Sequence, residues 1–321
     1  MRICVVSHSN VALRQQLFWK EFSKHAEVLV ISPERWVNGL ETTSEKNGNY
    51  ELFTSKIYLP QGSQMPMAHY TFPPEVFFKI EQFKPDIIYN QQETYCNQSM
   101  ISQQWAKQLG CKYVQFSWEN IRYPTTAEQV YLRNCDLIIC GNTESKELCG
   151  GNIILPQAGI SLERFYVADN KDIDVLYLGR KDESKGLSFI KSAYPDTTFI
   201  HDASYDEVPG YLSRAKVVVN FPTDGLNWKE QFSPFSIIES MASGCAPIVS
   251  KSSAPWEWLK DGPVTFVPQQ DTEALRSAID EMLKNADLLE KLSDEALEFV
   301  KRFGNGVVAE KLFQCFKVVL L

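Results

Sequence analysis

Leu178-Gly179-Arg180-Lys181-Asp182-Glu183-Ser184-Lys185-Gly186 closes one apolar run, Asp174–Leu178, and precedes another at helical spacing, Leu187–Ala193. The order is strand, glycine, short polar loop, glycine, helix. Such a unit belongs to a parallel sheet, because a parallel pair needs a crossover between its strands, usually a helix. Gly179 has no Cβ, so a ligand can approach its backbone. The helix opening at Gly186 turns its N–H groups and the positive end of its dipole on the loop. Arg180 can clamp a phosphate bidentately and Lys185 adds a point charge. That set suits a diphosphate. Neither the P-loop pattern GxxxxGK[ST] nor the dinucleotide fingerprint GxGxxG occurs here. Read alone, the loop is equally two solvated cations on a strand-to-helix turn.

The alternation extends in both directions. Downstream, strand and helix patterns follow one another from Thr197–His201 through Lys216–Asn220, Phe235–Ala242 and Ala246–Val249 to Thr265–Val267. Leu275, Ala278, Ile279, Met282 and Leu283 then recur at i, i+3, i+4, i+7 and i+8, with Asp271 placed to cap that helix. Upstream, strands are expected at Arg2–Ser7, Glu27–Ile31, Leu52–Leu59, Asp86–Tyr89, Lys112–Trp118, Asp136–Cys140 and Asn152–Leu155. Helices are expected at Val11–His25, Pro73–Phe83, Gln98–Gln108 and Thr126–Asn134. Residues 156–172 break the pattern. The reading is therefore α/β, with two doubly wound Rossmann-like domains facing a cleft: 1–165, and 166–304. A last helix is expected over about 305–321. Ligands belong at the carboxyl ends of the strands.

Composition narrows the class. The chain has 321 residues, 44% hydrophobic and 22% charged, which excludes wholesale disorder. No apolar run approaches the roughly 18 residues of a membrane span. The start, MRICVVSH, lacks the long apolar region of a signal peptide and reads as a first strand. The 8 cysteines are scattered singly, as buried thiols in a reducing cytoplasm would be. Residues 1–165 carry a net charge of −1 and residues 166–321 carry −7. No basic tract stands out, which argues against a nucleic-acid partner, although a local patch could sit in the near-neutral first half.

A second segment, Trp228-Lys229-Glu230-Gln231-Phe232-Ser233-Pro234-Phe235 and on to Ser243-Gly244, carries more chemistry. Ser233-Pro234 reads as a helix start with Ser233 as N-cap, so Ser233 and Phe235 flank a second candidate anion site. Glu239 falls among Ile237, Ile238, Met241 and Ala242. A carboxylate there needs a partner. A neighbouring cation would serve, and so would the paired hydroxyls of a ribose.

Together the two segments resemble the retaining glycosyltransferases of family 4, which have the GT-B fold. Gly179-Arg180 … Lys185-Gly186 matches that family's diphosphate-binding loop. Glu239-Ser240-Met241-Ala242-Ser243-Gly244 matches the second half of its Glu-x7-Glu motif. Leu155-Pro156-Gln157-Ala158-Gly159-Ile160-Ser161-Leu162-Glu163-Arg164-Phe165 is similar to its junction segment, and Phe116-Ser117-Trp118-Glu119-Asn120-Ile121 resembles a stretch of one polysaccharide-building subgroup. The resemblance implies a nucleoside-diphosphate sugar, UDP- or GDP-linked, as donor. Gly179, Arg180, Lys185, Gly186, Ser233, Phe235 and Glu239 would bind it, and its sugar would pass to an acceptor hydroxyl with retention, in polysaccharide or glycoconjugate synthesis. The family's first Glu falls eight residues before Glu239, where this chain has Gln231; Glu230 is nine before. Either Gln231 serves as a neutral amide, or an irregularity at Ser233-Pro234 brings Glu230 into place. Trp228–Phe232 is similar to the subgroup's pattern with Glu at that point, which favours Glu230.

The acceptor side is expected in the first domain. His8 ends the first strand, in Ser7-His8-Ser9-Asn10-Val11 where the family often has Gly-Gly. His8, Asn10, Glu93, Trp118 and Glu119 are its candidate residues; Trp118 either packs in the core or stacks on a sugar. No His, Cys, Asp or Glu cluster has metal spacing, so no cofactor or metal is expected and Arg180 with Lys185 would carry the phosphate charge. The last helix, about 305–321, is expected to pack back on the first domain, as the resemblance implies; its run Val318-Val319-Leu320-Leu321 could otherwise touch a membrane surface. Three rival readings use the same residues: a UDP-sugar 2-epimerase, a glycosyltransferase acting on modified DNA, and a non-catalytic nucleotide-sugar-binding protein.

Overall fold

The computed structural model describes residues 1–225, 228–232 and 235–321. Strands are β1 (Arg2–Val6), β2 (Glu27–Pro33), β3 (Glu45–Asn47), β4 (Tyr50–Ser55), β5 (Ile87–Gln91), β6 (Lys112–Ser117), β7 (Leu137–Cys140), β8 (Ile153–Ile154), β9 (Ile173–Leu178), β10 (Thr198–Ile200), β11 (Ala215–Asn220), β12 (Ala246–Ser250) and β13 (Thr265–Val267). Helices are α1 (Leu13–Phe22), α2 (Pro66–His69), α3 (Pro74–Phe83), α4 (Asn97–Leu109), α5 (Thr126–Arg133), α6 (Thr143–Cys149), α7 (Leu187–Ala193), α8 (Val208–Ser213), α9 (Phe235–Ala242), α10 (Ser253–Leu259), α11 (Thr272–Lys284), α12 (Ala286–Phe299) and α13 (Asn305–Leu320). The chain forms two units, Met1–Gly159 with Asn305–Leu321, and Ile160–Gly304. The division thus falls at Gly159/Ile160 rather than 165/166, because Ile160 donates its N–H to Phe303 O (2.9 Å) inside the second unit.

In the first unit the sheet order is β3-β4-β2-β1-β5-β6-β7-β8. Every pairing is parallel except β3 with β4. Successive residues of a strand point to opposite faces, and both faces are covered. Ile3, Val5, Val28, Val30, Ile87 and Tyr89 meet Phe18, Trp19 and Phe22 of α1 and Val308, Leu312 and Phe316 of α13. Cys4, Val6, Leu29, Ile31 and Ile88 meet Val76 and Ile80 of α3, Trp105 of α4 and Leu132 of α5. A sheet buried on both sides explains why its strands read as continuous apolar runs. Val318, Leu320 and Leu321 stay exposed at the end of α13.

In the second unit the order β10-β9-β11-β12-β13 is wholly parallel. One face is packed by Leu187 and Ile190 of α7 and by Leu275, Ala278, Ile279 and Met282 of α11. Asp271 caps α11, accepting from the Ala274 N–H at 2.9 Å. Among the described residues no helix is long and apolar enough to cross a membrane.

Candidate functional site

β9 and β11 are neighbours in the second sheet, so the loops leaving their carboxyl ends meet. The loop after β9 is a built structure. The Gly179 N–H binds Ile200 O at 3.0 Å, and Tyr177 donates its hydroxyl to Arg180 O at 2.8 Å. Asp182 accepts from the Ser184 N–H at 2.9 Å, and Ser184 O accepts from Thr223 N–H at 2.9 Å. Gly186 takes a φ of +71°, and a Cβ there would stand 2.1 Å from Phe221 O. Only glycine fits that conformation and that approach. Arg180 is exposed and Lys185 is largely buried. His201 Nδ1 lies 3.1 Å from Gly179 O; since a carbonyl only accepts, that nitrogen carries the proton.

The segment after β11 comes back to this loop. Glu230 Oε2 stands 2.5 Å from Lys185 Nζ, with side chains only 12% and 11% exposed. The same ammonium lies 4.7 Å from the centroid of the Trp228 ring. The Glu230 N–H binds Asp224 Oδ1 at 3.2 Å. Asp224 is held by Gln269, whose Oε1 accepts the Asp224 N–H at 2.7 Å and whose Nε2 donates to Asp224 Oδ2 at 2.9 Å. Asp224 and Gln269 escape sequence reasoning; Trp228 was read as part of the motif segment, but its place over the Lys185 ammonium was not.

Glu239 is buried in α9. That helix is anchored at its far end, where Lys171 Nζ donates to Ser243 O (3.3 Å) and to Gly244 O. Phe235 is half-buried and lies 5.4 Å from Phe232 between ring centroids. Gln231 is half-buried beside Glu230. Ser233 and Pro234, the expected helix start, lie outside the described residues.

In the first unit the candidates gather at the carboxyl ends of β1, β5 and β6. His8 lies on a turn capped by Ser7, its ring 4.7 Å from Trp36 and 5.8 Å from Tyr70. Burial pushes its imidazole down to about 4, so it is neutral at pH 7. Asn10 is fully buried, and its Nδ2 donates to Ile31 O at 2.9 Å; it ties the turn to β2 instead of presenting an amide at the surface. Glu93 is buried after β5 and accepts from Ser117 Oγ (2.7 Å), Trp118 N–H (2.9 Å) and Glu119 N–H (3.1 Å). Burial pushes its carboxyl up to about 7, against the pull of those bonds. Trp118 packs at the edge of the core, and a Cβ at Gly141 would lie 1.9 Å from its ring. The Glu119 carboxylate accepts from the N–H groups of Ile121 and Arg122, at 3.0 and 2.9 Å. So Glu93, Trp118 and Glu119 are brought together, with His8 and Asn10 on a separate turn. Among the described residues no three His, Cys, Asp or Glu side chains are grouped to hold a metal ion.

Residues 195–299 match the family model described as glycosyl transferases group 1. Among solved structures the chain is similar to sucrose-phosphate synthase from Thermosynechococcus elongatus, with 15% identity, 99% of this chain and 98% of that chain covered, and a TM-score of 0.73. It is similar to HepE of Anabaena, solved in complex with UDP and glucose, with 11% identity, 98% and 99% covered and a TM-score of 0.69. It is also similar to an E. coli structure described as trehalose-6-phosphate bound with UDP-2-fluoro glucose, with 12% identity, 100% and 99% covered and a TM-score of 0.68. No curated protein matches the sequence. The likeness shows the fold, which is GT-B. The group 1 match lies wholly within the second unit.

Proposed function

We propose that the second unit binds a nucleoside-diphosphate sugar, UDP- or GDP-linked, and that the chain passes its sugar, with retention of configuration, to an acceptor hydroxyl held by the first unit. The observation that supports this most is the meeting of Lys185 and Glu230 across 2.5 Å at the carboxyl edge of β9 and β11. One motif supplies the cation a diphosphate needs, and the other supplies a carboxylate beside it for sugar hydroxyls. Transfer breaks the bond from the anomeric carbon to the phosphate oxygen and forms one to the acceptor oxygen, which loses its proton. Charge grows on the leaving diphosphate, where Arg180 and Lys185 stabilise it without a metal ion. Glu239 binds ribose hydroxyls and Glu230 faces the donor sugar, a reading that the pairing of Glu230 with Lys185 supports. His8 and the Glu93–Trp118–Glu119 group frame the acceptor, a growing polysaccharide or glycoconjugate.

The test is nucleotide release from a panel of UDP- and GDP-sugars, with and without hydroxyl acceptors. Release that requires acceptor, and a product keeping the donor's anomeric configuration by NMR, is the expected result. Release without acceptor would point to an epimerase, and binding without turnover to a non-catalytic protein. EDTA should leave the rate intact; loss that magnesium or manganese restores would overturn the metal-free reading.

A further inference from the structure

We infer that Glu230 competes with the diphosphate for Lys185, so that the site discriminates the sugar-loaded donor from the spent nucleotide. This rests on the function proposed above and goes beyond it. The Lys185 ammonium is nearly buried, over the Trp228 ring and against Glu230. A buried cation keeps a partner, and here the partner is a carboxylate of this chain. At 2.5 Å, Glu230 occupies one of the three donor positions of the ammonium. An arriving phosphate oxygen would meet the carboxylate at close range, and like charges on one ammonium repel. The diphosphate therefore displaces the carboxylate. The Glu230 backbone is held meanwhile, through Asp224 to Gln269, so the exchange is a side-chain rotation.

The two ligands differ in what the displaced carboxylate then finds. A sugar nucleotide brings the hydroxyls of its sugar next to the diphosphate, and these donate to the displaced carboxylate. A spent nucleoside diphosphate has lost that sugar and keeps only its ribose hydroxyls, which are assigned to Glu239, so Glu230 returns to Lys185. The same exchange that admits the donor expels the product.

Equilibrium binding of UDP and UDP-glucose, and of GDP and GDP-mannose, to wild type, Glu230→Gln, Lys185→Ala and the double variant tests this, with thermal melts confirming that each variant is folded. Glu230→Gln should bind the free nucleotide at least threefold tighter and the sugar nucleotide no tighter, and free nucleotide should inhibit its turnover more strongly. Lys185→Ala should weaken both ligands, and adding Glu230→Gln to it should leave free-nucleotide affinity unchanged. If the folded Glu230→Gln variant binds free nucleotide no tighter than wild type, the pair is structural and the competition is refuted. If wild type binds none of the four ligands, the donor reading falls with it.

Discussion

Glu93 is a buried carboxyl that holds three donors at the carboxyl end of β5 and β6. Its proton is bound more tightly in the folded chain, at about 7, than at the usual 4.5. Its contribution to stability is thus fully present below about 4.5 and is lost as pH rises through about 7. His8 acts the other way, since its depressed value makes stability fall as pH drops from 6.5 towards about 4. The difference between wild type and Glu93→Gln isolates the glutamate. Over pH 5 to 8 wild type should lose about 1–3 kcal/mol relative to the variant. Chemical denaturation across that range checks it, and a flat difference would show Glu93 titrating normally. Arg180 is the contrasting case. It is exposed, so Arg180→Ala should leave stability within about 0.5 kcal/mol. It should still lower kcat/KM by about 1.5–3 kcal/mol, the scale of a charged hydrogen bond. Equal kinetics in the variant would remove Arg180 from the donor site.

At the scale of the element, the donor contacts proposed for α9 fall on a buried helix tied down by Lys171. Ribose is held alike in ground and transition states, so Glu239→Gln should raise the donor KM and spare kcat. Glu230→Gln should instead lower kcat at least tenfold, about 1.4 kcal/mol, with Gln231→Ala milder. The reverse order would assign the sugar to Gln231, the residue at the family's spacing. Most elements were readable, because strands buried on both faces read as apolar runs. α6 was not. Thr143–Cys149 has little apolar periodicity, and its evidence is at the ends. Asn142 accepts from the Ser145 N–H at 2.7 Å, and Gly150 closes the helix in the left-handed region. Those cap residues were the available signal. The buried polar end of β5, Asn90-Gln91-Gln92-Glu93-Thr94, was read only at Glu93. Some of its amide groups find distant partners, such as Asn90 Nδ2 on Gln115 Oε1 at 3.0 Å, which no local pattern announces.

Across the whole chain, α13 closes the first unit from the opposite end of the sequence. Leu312 and Phe316 are buried with Phe22 and Tyr89, and the Phe316 ring lies 5.2 Å from Tyr89 and 5.8 Å from Phe22. Phe316→Ala should cost about 3–5 kcal/mol and Leu312→Ala about 2–5. Residues 1–159 expressed without 305–321 should not give a cooperative melt; a sharp transition in that fragment would contradict the packing. Alternating patterns, turn glycines and the loop from Gly179 to Gly186 were legible because each depends on residues a few positions apart. Strand and helix period, φ preference and local charge are properties of neighbours. The meeting of Lys185 with Glu230, the Asp224–Gln269 support behind it and the seating of α13 on α1 join residues 45 to about 290 positions apart. Those contacts follow from the order in which strands pair and from which faces must be covered. They exist only once the chain has closed on itself, because an ion pair or a packed ring needs both partners desolvated in the same place.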